Sequence, residues 1–154
     1  MDNLFIGIDA GEHCGFAVWN KTLQHFHLID TYTFWQCMDK IWGYYQIYIK
    51  NKKELIIVIE DVTGNKPTFN RKNKNGEKLS ESIMRKISQN VGSVKRDTIL
   101  ITQWCEMKQI KVLKIVPKRN ALTKLDAIDF KNRTGWDGRT SEHARDAAML
   151  VFGK

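Results

Sequence analysis

The chain has 154 residues, of which 42% are hydrophobic and 27% charged, a profile typical of a single globular domain over residues 1–154 and not of a disordered chain. Its 25 Lys and Arg residues against 17 Asp and Glu give a formal charge of +8, which favours a polyanionic partner but specifies no reaction. The sequence lacks a secretory signal, a run of about 18 apolar residues and paired cysteines, so we expect a cytoplasmic protein without a membrane span, a disulfide framework or a zinc site.

The first half of the chain predicts a meander of three strands, then a helix and a buried strand. Short apolar runs separated by turn residues predict strands over residues 4–8, 16–19 and about 23–30. Apolar residues at helical spacing predict a helix from residue 34 to about residue 50. The next strand, residues 54–61, contains five consecutive aliphatic residues and should be buried on both faces, as central parallel strands are.

The second half begins with a polar loop and then alternates helices with a strand. Residues 62–78 are rich in Asn, Lys and Arg and have no apolar period, so we expect a mobile surface loop. An apolar stripe predicts a long helix over about residues 79–108, in which Gly92 indicates a kink or a close contact. A strand over residues 111–116, a helix over about 121–131 and a last helix over 141–152 follow.

This order, β-β-β-α-β-α-β-α-α, predicts the fold class. A meander followed by alternating helices and strands is typical of an α/β fold with a mixed five-stranded sheet and helices on both faces.

Three carboxylates lie where a purely structural protein has little use for them. Asp9 ends the first strand, Glu60 ends the most buried strand, and Asp146 stands beside Ala147 and Ala148 in the last helix. A carboxylate among apolar neighbours is destabilising unless it is paired or binds a cation. If the first and fourth strands are adjacent, Asp9 and Glu60 meet at one end of the sheet, and the last helix must cross that end to add Asp146.

Oxygen-only ligands of this kind select Mg²⁺ or Mn²⁺ over zinc. Two such ions about 4 Å apart can activate water and stabilise the leaving oxygen in phosphodiester hydrolysis. With a basic surface around it, this cluster indicates nucleic-acid cleavage. Each carboxylate also has a structural explanation, because Asp9 could cap the turn that follows it and Glu60 could lie at a solvated strand end. Asp146 could pair with Arg139 or Arg145.

The segments around these carboxylates resemble motifs of the RuvC-like Holliday junction resolvases, which belong to the ribonuclease H-like superfamily. Residues 5–11 (FIGIDAG), followed by residues 15–17 (GFA), resemble the opening GIDPG…G motif, with Ala10 in place of the proline. Residues 57–61 (IVIED) resemble the second acidic strand. Residues 141–150 (SEHARDAAML) resemble the terminal helix, in which Asp or His precedes the final Asp by three positions. Residues 91–95 and 134–136 resemble the phage-type branch.

The resemblance spans nearly the whole chain and implies an enzyme, a homodimeric crossover junction endodeoxyribonuclease of a bacterial cell, phage or prophage, without an organic cofactor. Asp9, Glu60 and Asp146 would bind Mg²⁺, with two ions at each site and Mn²⁺ as a substitute. His143 falls where the family places a fourth active-site residue, and it shares a helix face with Asp146. Glu142 is the alternative for that role.

The substrate implied by the resemblance is a four-way DNA junction. The basic loop would approach the junction, Phe69 is a candidate for stacking on an opened base, and the long helix from residue 79 would contribute to the dimer contact. The complete set of candidate DNA contacts is Lys66, Phe69, Arg71, Lys72, Lys74, Lys78, Lys114, Lys118 and Arg119.

Three other functions compete with this interpretation. Actin-like or sugar-kinase ATPases also open with a GxDxG-type strand turn, but they need two such domains and this chain has room for one. Another ribonuclease H-like nuclease, acting on RNA or an RNA–DNA hybrid, would share the acidic cluster. A catalytically silent junction- or RNA-binding protein would have no reason to keep three carboxylates that repel one another.

Overall fold

The structure, a computed structural model, describes residues 3–51, 53–64, 72–116 and 124–154. The elements in these ranges are β1 (Leu4–Asp9), β2 (Cys14–Asn20), β3 (His25–Tyr32), α1 (Phe34–Lys50), β4 (Leu55–Glu60), α2 (Glu81–Met107), β5 (Lys111–Ile115), α3 (Ala127–Thr134) and α4 (Glu142–Val151). The strands form one sheet in the order β3-β2-β1-β4-β5. No helix in the described ranges is long and apolar enough to cross a membrane.

The sheet is mixed, as the sequence predicted. β1 pairs antiparallel with β2 and parallel with β4, and β5 continues the parallel part beside β4. β2 also pairs antiparallel with β3, which completes the meander. The predicted order of strands and helices is therefore confirmed, and β1 and β4 are neighbours.

The central strands are buried on both faces, and their side chains alternate between two core clusters. Leu4, Ile6 and Ile8 of β1 pack in the cluster that contains residues of α1 and α2. Phe5 of β1 and Val58 of β4 pack in the cluster that contains residues of α3 and α4. Side chains alternate between the two faces along a strand. The cluster that a strand residue joins therefore shows which face the acidic residue at the end of that strand points to.

Side-chain caps mark where the helices begin. Thr33 and Gln36 form a capping box at α1, and the Ser80 hydroxyl accepts from the backbone at the start of α2. The Ser141 hydroxyl accepts from the Ala144 N–H at the start of α4 and is also hydrogen-bonded to the Thr31 hydroxyl of β3. This last contact joins the first turn of α4 to the sheet.

Several predicted boundaries differ from those of the structure, and the starts of β3 and α3 have a clear local cause. β3 begins at His25 and not at residue 23, because the Asn20 side chain accepts from the Leu23 N–H and holds the preceding residues in a turn. α3 begins at Ala127 because the Asp126 carboxylate accepts from the N–H groups of Ile128 and Asp129. The predicted helix began at residue 121, and residues 121–123 lie outside the described ranges. Of the kink or close contact expected at Gly92 of α2, the close contact is absent, since an added Cβ atom would meet no atom of the described residues within 4 Å.

Helix α4 packs directly on the sheet at two glycines. A Cβ atom at Gly7 of β1 would overlap the carbonyl oxygen of Ala147, and one at Gly15 of β2 would overlap that of His143. Glycine at both positions allows the helix backbone to approach the strands closely. The approach brings the first turns of α4 over the end of β1.

We expect Gly7→Ala to lower the free energy of unfolding by about 2 kcal/mol or more, because the added methyl group meets backbone atoms that cannot move independently. Gly92→Ala is the control, because the exposed α2 position is open and alanine favours helix by about 0.5–1 kcal/mol. Urea unfolding followed by tryptophan fluorescence measures both. Wild-type stability in Gly7→Ala would contradict the packing of α4.

Candidate active site

Asp9 and Glu60 end neighbouring parallel strands and point to the same face of the sheet. The register pairs Ile8 with Ile59, so the two acidic residues follow at the same sheet end. Asp9 lies four residues after Phe5 in β1, and Glu60 lies two residues after Val58 in β4. Their side chains therefore point to the same face as Phe5 and Val58, which pack on the α4 side. The adjacency that the sequence analysis made a condition for the site is therefore present.

Asp146 joins these two residues from α4. Its neighbour Ala147 lies against Gly7 of β1, which brings this part of the helix over the strand end. Asp9, Glu60 and Asp146 all line one cleft with a volume of about 340 Å³. The other lining residues are Ile115, Val116, Lys124, Met149, Leu150, Phe152 and Lys154.

Burial and mutual repulsion disfavour ionisation of all three carboxylates. Desolvation raises the pKa of Asp9, whose side chain is 18% exposed. Desolvation and then the charges of Asp9 and Asp146 raise the pKa of Glu60. Desolvation also raises the pKa of Asp146, to which the charge of Asp9 contributes. The cleft thus concentrates negative charge that water solvates only in part, and a cation would relieve this repulsion.

His143 contacts the most buried of these carboxylates. Its Nδ1 lies 2.8 Å from Oδ2 of Asp9, and this hydrogen bond and the charge of His143 lower the pKa of Asp9, against the larger effect of burial. Glu142, the alternative fourth residue, is exposed, and its negative charge raises the pKa of Asp9 and of Asp146. Of the two candidates, His143 is the one that the structure places against an acidic residue of the cleft.

Lys124 also lines the cleft, and the sequence analysis missed it. Its Nζ lies 3.8 Å from Oδ2 of Asp146, the position for which Arg139 or Arg145 had been considered. Arg145 instead donates to the Leu125 carbonyl and to the Thr140 carbonyl and hydroxyl. The position of Lys124 in the sequence could have indicated this placement. Lys124 lies in the connection that follows β5, and the C-terminal end of β5 is level with Glu60.

The predicted DNA contacts lie in several places. Lys72, Lys74 and Lys78 are exposed, around a turn closed by an antiparallel bridge between residues 72 and 78. Lys114 lies two residues after Val112 in β5, so its side chain points to the same face as Val112, away from the cleft. Its positive charge lowers the pKa of Asp61. The remaining candidates lie outside the described residues: Lys66, Phe69, Arg71, Lys118 and Arg119.

The carboxylate oxygens of the cleft are suitable ligands for a hard divalent cation, although the three side chains do not converge on a single point. Within residues 3–51, 53–64, 72–116 and 124–154, no three or more His, Cys, Asp and Glu side chains form a ready-made metal site. Three carboxylates in one cleft nevertheless offer the oxygen ligands that Mg²⁺ and Mn²⁺ prefer. Binding would require Asp9, Glu60 and Asp146 to turn toward a common centre.

Comparison with known proteins identifies the fold. No protein-family profile matches the chain, and no curated protein sequence is significantly similar to it. Among solved structures, the chain is similar to T. thermophilus RuvC in complex with a Holliday junction substrate, with a TM-score of 0.50. The similarity covers 97% of this chain and 91% of the RuvC chain, at 13% sequence identity. The fold is ribonuclease H-like. At this level of identity, the comparison establishes the architecture and no more.

In this ribonuclease H-like sheet, we expect Glu60→Gln to stabilise the metal-free protein at pH 7.5. The fold raises the pKa of Glu60 above its ordinary value of 4.5, so the folded protein favours the protonated carboxyl group. This contribution to the free energy of unfolding is fully present below about pH 4.5 and is lost as the pH rises through the folded-state pKa. Removing the charge should therefore raise the free energy of unfolding at pH 7.5, by about 1 kcal/mol or less because solvent screens a half-exposed group. Urea unfolding in EDTA measures this change.

The adjacent Asp61→Asn substitution is the matched control and should have the opposite sign. Hydrogen bonds from Thr63 lower the pKa of Asp61 below 3.8, so its ionised form stabilises the fold above that pH and the stabilisation is lost as the pH falls through the folded-state pKa. The gain from Glu60→Gln should shrink toward pH 4. Equal effects of the two substitutions at pH 7.5 would refute this assignment of charges.

His143→Ala should raise the pKa of Asp9, because the substitution removes a hydrogen bond and a positive charge that lower it. Carbon-detected NMR titration of the Asp9 carboxyl group measures the change in the metal-free protein. His13→Ala, at an exposed position of the turn between β1 and β2, serves as the control. An Asp9 pKa that is the same in His143→Ala and wild type would mean that the two side chains do not interact in solution.

Proposed function

We propose that this protein is a Mg²⁺-dependent, structure-selective endodeoxyribonuclease that resolves four-way DNA junctions or related branched DNA. The observation that carries the proposal is the meeting of Asp9, Glu60 and Asp146, from two parallel strands and a helix, in one cleft of a ribonuclease H-like fold. A protein without catalytic activity would gain no stability from three carboxylates that burial and mutual repulsion disfavour. A nuclease that binds cations has a use for them.

The cation would be held by Asp9, Glu60 and Asp146, with two Mg²⁺ ions at each site and Mn²⁺ as a substitute. When bound, the ions would supply positive charge at the phosphate and lower the pKa of the attacking water. His143 is placed to orient Asp9 through its Nδ1 contact, since a hydrogen-bonded neighbour restrains the direction of a ligand carboxylate. The cleft also brings the apolar side chains of Met149 and Leu150 of α4 beside the acidic residues.

The proposed reaction is phosphodiester hydrolysis. Water attacks the phosphorus in line with the bond to the 3′ oxygen, and that bond breaks as the new bond forms. The products are a 3′ hydroxyl and a 5′ phosphate. No covalent enzyme intermediate is needed, because the carboxylates serve as ligands and not as nucleophiles.

DNA as the substrate is supported by charge and by the structural comparison. The chain carries a formal charge of +8 although its cleft is acidic, so positive charge is concentrated elsewhere, including the exposed Lys72, Lys74 and Lys78. Contacts from such lysines to phosphates release counterions and favour binding at low salt. The similar T. thermophilus RuvC was solved with a Holliday junction substrate, which makes a four-way junction the first substrate to test.

A homodimer is part of this proposal, because two sites are needed to cut two strands of a junction in a paired manner. The N-terminal half of α2 offers an apolar surface for the contact. Ile83 is 48% exposed, and Ile87 and Val91 belong to neither core cluster of the described chain. A second copy packing along this stripe would cover the exposed side chains.

Cleavage of labelled four-way junction, duplex, flap and RNA–DNA hybrid substrates tests the proposal. We expect paired nicks in the junction with Mg²⁺, no cutting in EDTA, and a rate at least about a hundredfold lower in Asp146→Asn, because one ligand of the cation is lost. Asp61→Asn is the control, since this carboxylate lies one residue from Glu60 and does not line the cleft. It should cut at the wild-type rate.

The other outcomes separate the competing functions. Cutting of the RNA–DNA hybrid in preference to the junction would retain the metal site and make the protein a ribonuclease H-like enzyme of different specificity. Tight junction binding without cutting, in both Mg²⁺ and Mn²⁺, would overturn the enzymatic function and leave a junction-binding protein.

A further inference from the structure

Lys124 is held at the acidic cleft by contacts of its neighbouring backbone. Arg145 of α4 donates from Nε to the carbonyl oxygen of Leu125 at 2.9 Å, and the Leu125 side chain packs against the core cluster on the α4 side. These contacts link the residue next to Lys124 to the helix that carries Asp146. Lys124 lines the cleft from the position next to this anchored carbonyl group.

The ammonium group of Lys124 is paired with one carboxylate of the cleft and shares the cleft with the other two. It lies 3.8 Å from Oδ2 of Asp146, and Lys124 lines the same cleft as Asp9 and Glu60. Lys124 is thus a cation inside the group of residues that we propose as metal ligands.

We propose that Lys124 is the internal counter-ion of the metal-free site and competes with the divalent cation for Asp9, Glu60 and Asp146. This inference rests on the proposed function, because it requires a metal to bind there. The ammonium and the metal ion repel each other, so binding of the metal requires Lys124 to leave Asp146. Because the lysine side chain is 64% exposed and flexible, it can turn toward solvent, and it weakens metal binding without preventing it.

The test is the affinity of the DNA-free protein for Mn²⁺, measured by electron paramagnetic resonance of free Mn²⁺ and by calorimetry. We expect Lys124→Gln to bind Mn²⁺ about fivefold more tightly than wild type, as the loss of a partly exposed competing ion pair implies. Lys124→Arg keeps the charge and should bind no more tightly than wild type. Neither readout depends on cleavage.

Lys131→Gln is the matched control. Lys131 is 62% exposed and pairs with Asp137 outside the cleft, so the substitution removes the same charge from a lysine of similar exposure. It should leave the Mn²⁺ affinity unchanged, which separates a local effect of Lys124 from a change in overall charge. Thermal unfolding in EDTA and in Mn²⁺ gives a second readout, in which the rise in melting temperature caused by Mn²⁺ should be larger for Lys124→Gln than for wild type.

The outcomes distinguish this inference from the proposed function. If wild type binds Mn²⁺ and Lys124→Gln binds it equally or more weakly, Lys124 does not compete and this inference is overturned while the metal site stands. If Lys131→Gln tightens binding as much as Lys124→Gln, the effect is one of total charge and the inference is again overturned. If wild type binds no Mn²⁺ at millimolar concentration, the proposed metal site fails and the inference fails with it.

Discussion

Helix α4 can reach the sheet only because Gly7 and Gly15 have no side chains at the points where its backbone passes. The same approach brings Ala147 against β1 and His143 toward Asp9, so the position of the acidic cleft follows from packing that involves no charged group. The contact between Ser141 and Thr31 joins the start of the helix to β3. The precision of the site therefore comes from backbone contacts made before any ligand is bound.

The three carboxylates of the cleft contribute unfavourably to the stability of the folded protein when they are ionised. Burial raises the pKa of each one, and the pairs repel one another. His143 and Lys124 offset part of this repulsion, one at Asp9 and the other at Asp146. Proteins commonly retain such locally unfavourable arrangements at functional sites, where the ligand relieves them and the surrounding fold supplies the stability.

The sequence was informative where local patterns and sheet geometry agree, and uninformative where distant contacts decide. The aliphatic run of β4 and the position of Asp9 and Glu60 at strand ends were sufficient to predict that these two residues meet once the strands are neighbours. The start of α3 was missed because the Asp126 cap competes with the apolar pattern upstream of it.

Lys124 shows the limit of such reasoning more clearly. Nothing in its local sequence separates it from the other 24 Lys and Arg residues of the 25 in the chain, because its position depends on Arg145 reaching the Leu125 carbonyl from another element. In the same way, the direction of the Lys114 side chain, away from the cleft, follows from the register of β5 and not from its local sequence. Side-chain direction at a site is a property of register and long-range anchoring.

The parallel pairing of β1 with β4 also bears on the order in which the chain folds. The meander β1–β2–β3 closes through contacts between residues close in sequence, whereas β1 and β4 meet only after the chain has passed through α1, and such distant closures carry a larger entropic penalty. Asp9, Glu60 and Asp146 come together only when this pairing and the docking of α4 are complete. The repulsion among them is therefore a property of the completed sheet with α4 docked, and it is absent from any partly folded chain in which β1 and β4 are still apart.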